Sequence, residues 1–240
     1  MIENLPAFIS IVFIVTTFLT IAFLFYAVRQ SNNKSAPANI LVGAVSFWLF
    51  FTATASISGV YVNPTSFPPR LFLFGVLPSL VLILIYFIFF RQNFIERFPL
   101  KTLTLLSIIR IPVELVIYWL YINGQMPQIM TFEGWNFDIF SGIAAPVVYW
   151  LAFRGGRTHK AILVFWNIFG LLLLINIVSI AILSLESPIQ RFAFEQPNRA
   201  VLYFPFVWLP AIIVPIVFFS HIASLWKIFI YRNSDSAIGS

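Results

Sequence analysis

Apolar residues in this chain fall into seven long runs separated by short polar stretches. The runs cover approximately 7–28, 38–62, 71–90, 102–123, 137–153, 161–184 and 200–226. Each is close to the ~20 residues that an α-helix needs to cross a hydrocarbon core of ~30 Å. Helices are the expected form, because a spanning segment must satisfy every backbone N–H and C=O internally. The breaks carry turn chemistry: Gln30-Ser31-Asn32-Asn33-Lys34, Asn63-Pro64-Thr65 with Pro68-Pro69, Arg154-Gly155-Gly156-Arg157, and Gln196-Pro197-Asn198. The fifth run is the shortest and contains Pro146. The pattern predicts an all-α, polytopic membrane protein, a seven-transmembrane-helix bundle, with residues 1–240 as one integral membrane domain.

Composition supports the same class. The chain is 60% hydrophobic and 9% charged, with mean hydropathy +0.96, whereas a soluble domain carries roughly a quarter charged residues. With 29 phenylalanines, much of the lipid-facing surface is expected to be Phe, Leu and Ile. The first run lacks a positive flank and a small-residue cleavage signature, so it reads as a retained helix and not a signal peptide.

The net charge of +6 gains meaning from where the cations lie. Loops one, three and five and the tail hold Arg29, Lys34, Arg91, Arg97, Lys101, Arg154, Arg157, Lys160, Lys227 and Arg232; the other loops hold Arg70, Arg191 and Arg199. That alternation puts the N-terminus outside and the C-terminus in the cytoplasm. Glu3, Glu133, Glu186 and Glu195 lie on the cation-poor side, which is consistent but carries little orienting weight. The cytoplasmic membrane of a bacterium is the expected residence. No basic patch remains for a phosphate backbone, so no nucleic-acid partner is expected.

Small residues suggest where helices approach closely. Gly43, Ala44, Ala53, Ala55, Ser56 and Gly59 form one such stripe in span two, and Ser141, Gly142, Ala145 and Ala152 another in span five. Pro205, Pro210 and Pro215 recur every five residues. Span seven is therefore expected to bend and to offer freed carbonyls to a neighbour or to water.

Candidate chemistry centres on span four, in the segment from Ser107 through Arg110, Pro112 and Glu114 to Tyr118 and Tyr121. Arg110 and Glu114 are four residues apart and share a face, so they are expected to pair. A charge in mid-bilayer costs about 2.5–3.5 kcal/mol on insertion scales, so this face should point into the bundle. It reads either as a buried binding or proton-transfer site, or as a structural ion pair. The segment 124–138 mixes polar residues with Met, Phe and Trp, as a loop folded over the bundle mouth would. Asp138 opens span five, where capping the helix is its simplest role; facing inward, it would add a carboxylate above Glu114. Asn167 and Asn176 lie half a helical turn out of phase, so only one can face the pocket. Asn176, near the level of Glu114, is the one chosen, with Ser179 beside it. His221 reads as a packed or interfacial residue.

Several function classes are excluded. There is no cysteine, hence no disulfide, thiolate ligand or cysteine nucleophile. Seven-helix zinc hydrolases need several histidine ligands, which the two distant histidines, His159 and His221, cannot supply. Span seven has no mid-helix lysine for a retinal Schiff base, and no phosphate loop or dinucleotide fingerprint occurs. No cofactor, metal or catalytic residue is expected. The expected function is binding or transport of a small polar or anionic ligand, or a proton. Its mid-membrane pocket would comprise Arg110, Glu114, Tyr118, Asp138 and Asn176. The alternatives are an intramembrane enzyme acting on a lipid, and a non-catalytic subunit or receptor. The expected partners are the lipid bilayer, the small ligand, and an oligomeric copy or partner subunit.

Overall fold

The computed structural model describes residues 2–31, 36–63, 65–90 and 95–237, with no side-chain description at 36, 37 and 231–237. Asn32, Asn33, Lys34, Pro64 and Arg91 of the predicted turns and loops lie outside the described residues, as does the side chain of Arg232. Seven helices are long and apolar enough to cross a membrane, and no strand occurs among the described residues. They are α1 (Ala7–Gln30), α2 (Ala36–Ile57), α3 (Phe72–Phe89), α4 (Leu100–Ile122), α5 (Asp138–Phe153), α6 (Lys160–Leu183) and α7, which opens at Leu209 and ends with Val214–Ala237.

Helix α7 is 67% buried over its most apolar stretch, against 22% for α2 and 11% for α3. It is therefore the centre of the bundle. It packs on α6, on the first half of α4 and on α3, while α5 lies between α4 and α6, and α1 covers α4. The outer faces are apolar: Phe50, Phe89 and Phe165 are 72–73% exposed, a surface that suits lipid and not water. Hydroxyls buried in α1 are satisfied within the helix. Thr16, Thr17 and Thr20 each donate to the carbonyl four residues earlier, at 2.8–2.9 Å.

Two of the helices begin with a π turn, at Phe72–Val76 and Leu209–Ile213, and these turns pack against each other. Each is followed two residues later by a proline, Pro78 or Pro215. Pro215 has no N–H to give to the Ala211 carbonyl, and Ser79 Oγ of α3 donates to that oxygen instead, at 2.8 Å. The Phe74 carbonyl, four residues before Pro78, accepts from the Tyr61 hydroxyl at 3.4 Å. The expectation of freed carbonyls met by a neighbour is thus seen at Pro215.

Three expectations need correction. Span seven starts at Leu209, not 200, because a short 3-10 turn at Ala200–Leu202 and the cis Phe204–Pro205 peptide precede it. Pro205 therefore lies outside the helix, and Pro210 sits in its first turn, where the missing N–H breaks no bond. Span two ends at Ile57, and Gly59 adopts φ +72° in the turn that follows. The small-residue stripe of α2 is only in part a close contact: Ser56 is buried and its hydroxyl donates to the Leu202 carbonyl at 2.9 Å, but a Cβ on Gly43 would meet nothing within 4 Å. The α5 stripe is one: Ser141, Gly142, Ala145 and Ala152 are all buried, and a Cβ on Gly142 would lie 2.7 Å from Ile111 Cγ1.

Candidate functional site

The close approach at Gly142 lays the N-terminal half of α5 against the middle of α4. Ser107–Ile109 forms a 3-10 turn, and Arg110 begins the α-helical second half of α4. Arg110 is 3% exposed, so its five N–H donors must find partners inside the bundle. Nη1 donates to Asp138 Oδ1 at 2.8 Å in a buried ion pair. Nη2 donates to the Gly170 carbonyl of α6 at 3.2 Å and lies 3.1 Å from His221 Nε2 of α7. One guanidinium thereby joins α4, α5, α6 and α7.

The histidine is reached because Gly170 has no side chain. A Cβ there would sit 2.5 Å from His221 Cε1 and 2.7 Å from Nε2. Arginine only donates, so Nε2 must accept, and the ring proton resides on Nδ1. Nδ1 lies 2.9 Å from Asn167 Oδ1, which accepts it, and Asn167 Nδ2 donates to the Leu163 carbonyl at 2.7 Å. The chain Arg110–His221–Asn167 is consistent with a neutral imidazole in one tautomer.

The second carboxylate is held from above. The segment between α4 and α5 folds into the bundle mouth, burying Met126, Met130, Thr131 and Asn136. Asn136 Nδ2 donates to Glu114 Oε2 at 2.6 Å and to the Met130 carbonyl at 2.9 Å, while its Oδ1 accepts from the Asp138 N–H at 3.1 Å. Gly134 permits this fold, since a Cβ there would collide with the backbone of Gln128 and Ile129. Three buried polar atoms around the cluster have no protein partner: Arg110 Nε, Ser107 Oγ and Ser141 Oγ. Buried polar atoms of this kind are ordinarily served by water or a small ligand.

The structure redistributes the residues read from sequence. Arg110, Glu114 and Asp138 do come together, but Arg110 pairs with Asp138, whereas Glu114 pairs with Asn136. Asp138 does not cap α5: Phe137 is the capping residue, without a side-chain bond. Tyr118 lies higher on α4, stacked on Phe132 at 4.9 Å between ring centroids. Asn176 is outside the cluster, its amide donating to the Trp135 carbonyl at 2.8 Å, and Ser179 bonds back to Ile175. Of the two asparagines half a turn apart, Asn167 is the one that faces inward.

Sequence reasoning missed Asn136, Asn167 and His221 as one set. A usable signal existed for Asn167. Asn167 and Gly170 are three residues apart on one face of an apolar helix, and a lone glycine there marks a close neighbour. Asn136 had no such signal, being one polar residue among many in a loop.

A family model for a domain of unknown function, DUF8737, matches residues 68–229, about two thirds of the chain. The chain belongs to the DUF8737 family. The DUF8737 segment contains α3 to α6 and nearly all of the membrane-length part of α7, and with them every residue of the Arg110 cluster; α1 and α2 precede it. No curated protein and no solved structure matches.

Proposed function

We propose that this protein is an integral membrane protein that binds and transfers a proton within the bundle, with Glu114 as the proton-carrying group. One observation carries the reading: two buried carboxylates, Glu114 and Asp138, are served by one buried cation, Arg110, beside His221. With both carboxylates ionised these groups sum to −1, and one proton makes the cluster neutral, which burial favours strongly. Asp138 occupies the guanidinium edge where a small anion would otherwise dock, so a proton fits the site better than the anionic ligand that span four first suggests. Arg110 pairs with Asp138 and contacts His221, and the unpartnered hydroxyls of Ser107, three residues before Arg110, and Ser141, next to Gly142, are hydrogen-bonding groups for a relay.

The test is Glu114→Gln in proteoliposomes loaded with a pH-sensitive dye, alongside infrared spectra of the purified protein. Proton flux should fall by more than about tenfold, the loss typical when a proton-transfer group is removed. The protonated-carboxyl band should disappear from the pH-difference spectrum. Wild-type flux in the variant would assign the cluster to packing, as would a spectrum with no titrating carboxyl.

The proposed orientation has the N-terminus outside and the C-terminus in the cytoplasm. Reporter fusions after Lys101 and Lys160 should read cytoplasmic, and fusions near Asn63, Glu133 and Glu195 external. A cytoplasmic signal at Glu133 would overturn the seven-span arrangement.

A further inference from the structure

A second polar region lies at the opposite end of α4 from the folded loop. There a cavity of about 610 Å³ is lined by Tyr26 and Gln30 of α1, Lys101 of α4, Tyr149 of α5, Lys160 of α6 and Lys227 of α7, among others. Lys101 is nine residues before Arg110, about 14 Å along the helix, so this cavity is separate from the carboxylate cluster.

We propose that this cavity binds a phosphate-bearing anion, and that in a membrane the anion is the headgroup of an acidic phospholipid. Three lysines from three helices line one space, and none of the described residues lining it is acidic. Glu96, which acts on the charge of Lys227, lies outside the lining. The cations are positioned by the fold. Lys227 Nζ donates to the Phe98 carbonyl at 2.8 Å, and Lys101 Nζ lies 5.7 Å from the centre of the Phe153 ring. Thr102 donates to Gln30 Oε1 at 2.6 Å, which fixes the Gln30 amide and keeps its oxygen from facing an anion. Leu105, Phe153 and Ile228 complete the wall. A lining that joins lysines to apolar side chains suits an amphiphile better than a bare ion. Basic pockets between helix ends are a recurrent headgroup site.

Cations at helix ends also orient a membrane protein, and that role needs no ligand. Binding separates the two. The full chain, in neutral detergent micelles, is titrated with phosphatidylglycerol, with phosphatidylcholine, and with inorganic phosphate alone, following the thermal unfolding midpoint. Phosphatidylglycerol should raise the midpoint saturably and phosphatidylcholine should not. In Lys101→Gln with Lys160→Gln, the apparent affinity should fall by roughly tenfold or more, as expected for two lysines near an anionic headgroup. The midpoint without added lipid reports whether the variant is folded. Should the pair fail to fold, Lys101→Gln alone, at an exposed side chain, should still show a fall of about fivefold. A rise with inorganic phosphate but not with phosphatidylglycerol would keep the anion site and assign it to a soluble phosphorylated compound. No shift with either, or an undiminished shift in the lysine variants, would overturn the proposal.

Discussion

Replacing Arg110 with methionine should destabilise the protein by about 3–5 kcal/mol, the usual consequence of stranding the partner of a buried ion pair. Three acceptors lose their donor at once: Asp138 Oδ1, the Gly170 carbonyl and His221 Nε2. Adding Asp138→Leu removes the stranded charge and should recover more than half of the loss. Recovery will be incomplete, because the carbonyl and the imidazole remain unserved. Glu114→Leu in the Arg110→Met background should recover less, since Glu114 is held by Asn136. Detergent unfolding of the singles and the two doubles measures these couplings directly. Simple additivity between Arg110→Met and Asp138→Leu would contradict the pairing.

Gly170→Ala should also be severe, by about 1–3 kcal/mol, as for a group forced into a packed core. The new methyl would overlap the His221 ring, which cannot swing aside without breaking its contacts to Arg110 and Asn167. Gly43→Ala is the contrasting case, because open space surrounds that position. It should be neutral or stabilising by up to about 1 kcal/mol through helix propensity. Thermal midpoints of the two variants decide the matter, and equal effects would mean that α6 and α7 do not meet as described.

The number and placement of the helices were legible in the sequence because apolar length reports directly on what can lie in hydrocarbon. Which faces meet was much less so. Small residues in α2 resemble those in α5, yet Gly142 of α5 lies against another helix and Gly43 of α2 faces open space; apolar faces look alike whether they meet lipid or protein. Arg110 was readable as inward-facing, since a lone charge has nowhere else to go. Its partner was not, because four-residue spacing places Glu114 on the same face without saying whether a different helix offers a nearer carboxylate. Choosing Asn176 over Asn167 failed for a related reason: level was matched to Glu114, whereas the arginine bonds at the level of Gly170. The three prolines illustrate the limit of spacing alone, as only Pro215 falls where a helical hydrogen bond was available to lose.

The guanidinium of Arg110 is completed by residues made long after it. Asp138 follows by 28 positions and His221 by 111. At a synthesis rate of 5–20 residues per second, the arginine waits about 1–6 s for its carboxylate and about 6–22 s for its imidazole. Until Asp138 has been made the cation lacks its carboxylate, and until α7 has been made it lacks its imidazole. Chain order thus makes α7 the last of the seven helices to supply a contact to Arg110, and a chain truncated before His221 would leave that guanidinium one partner short.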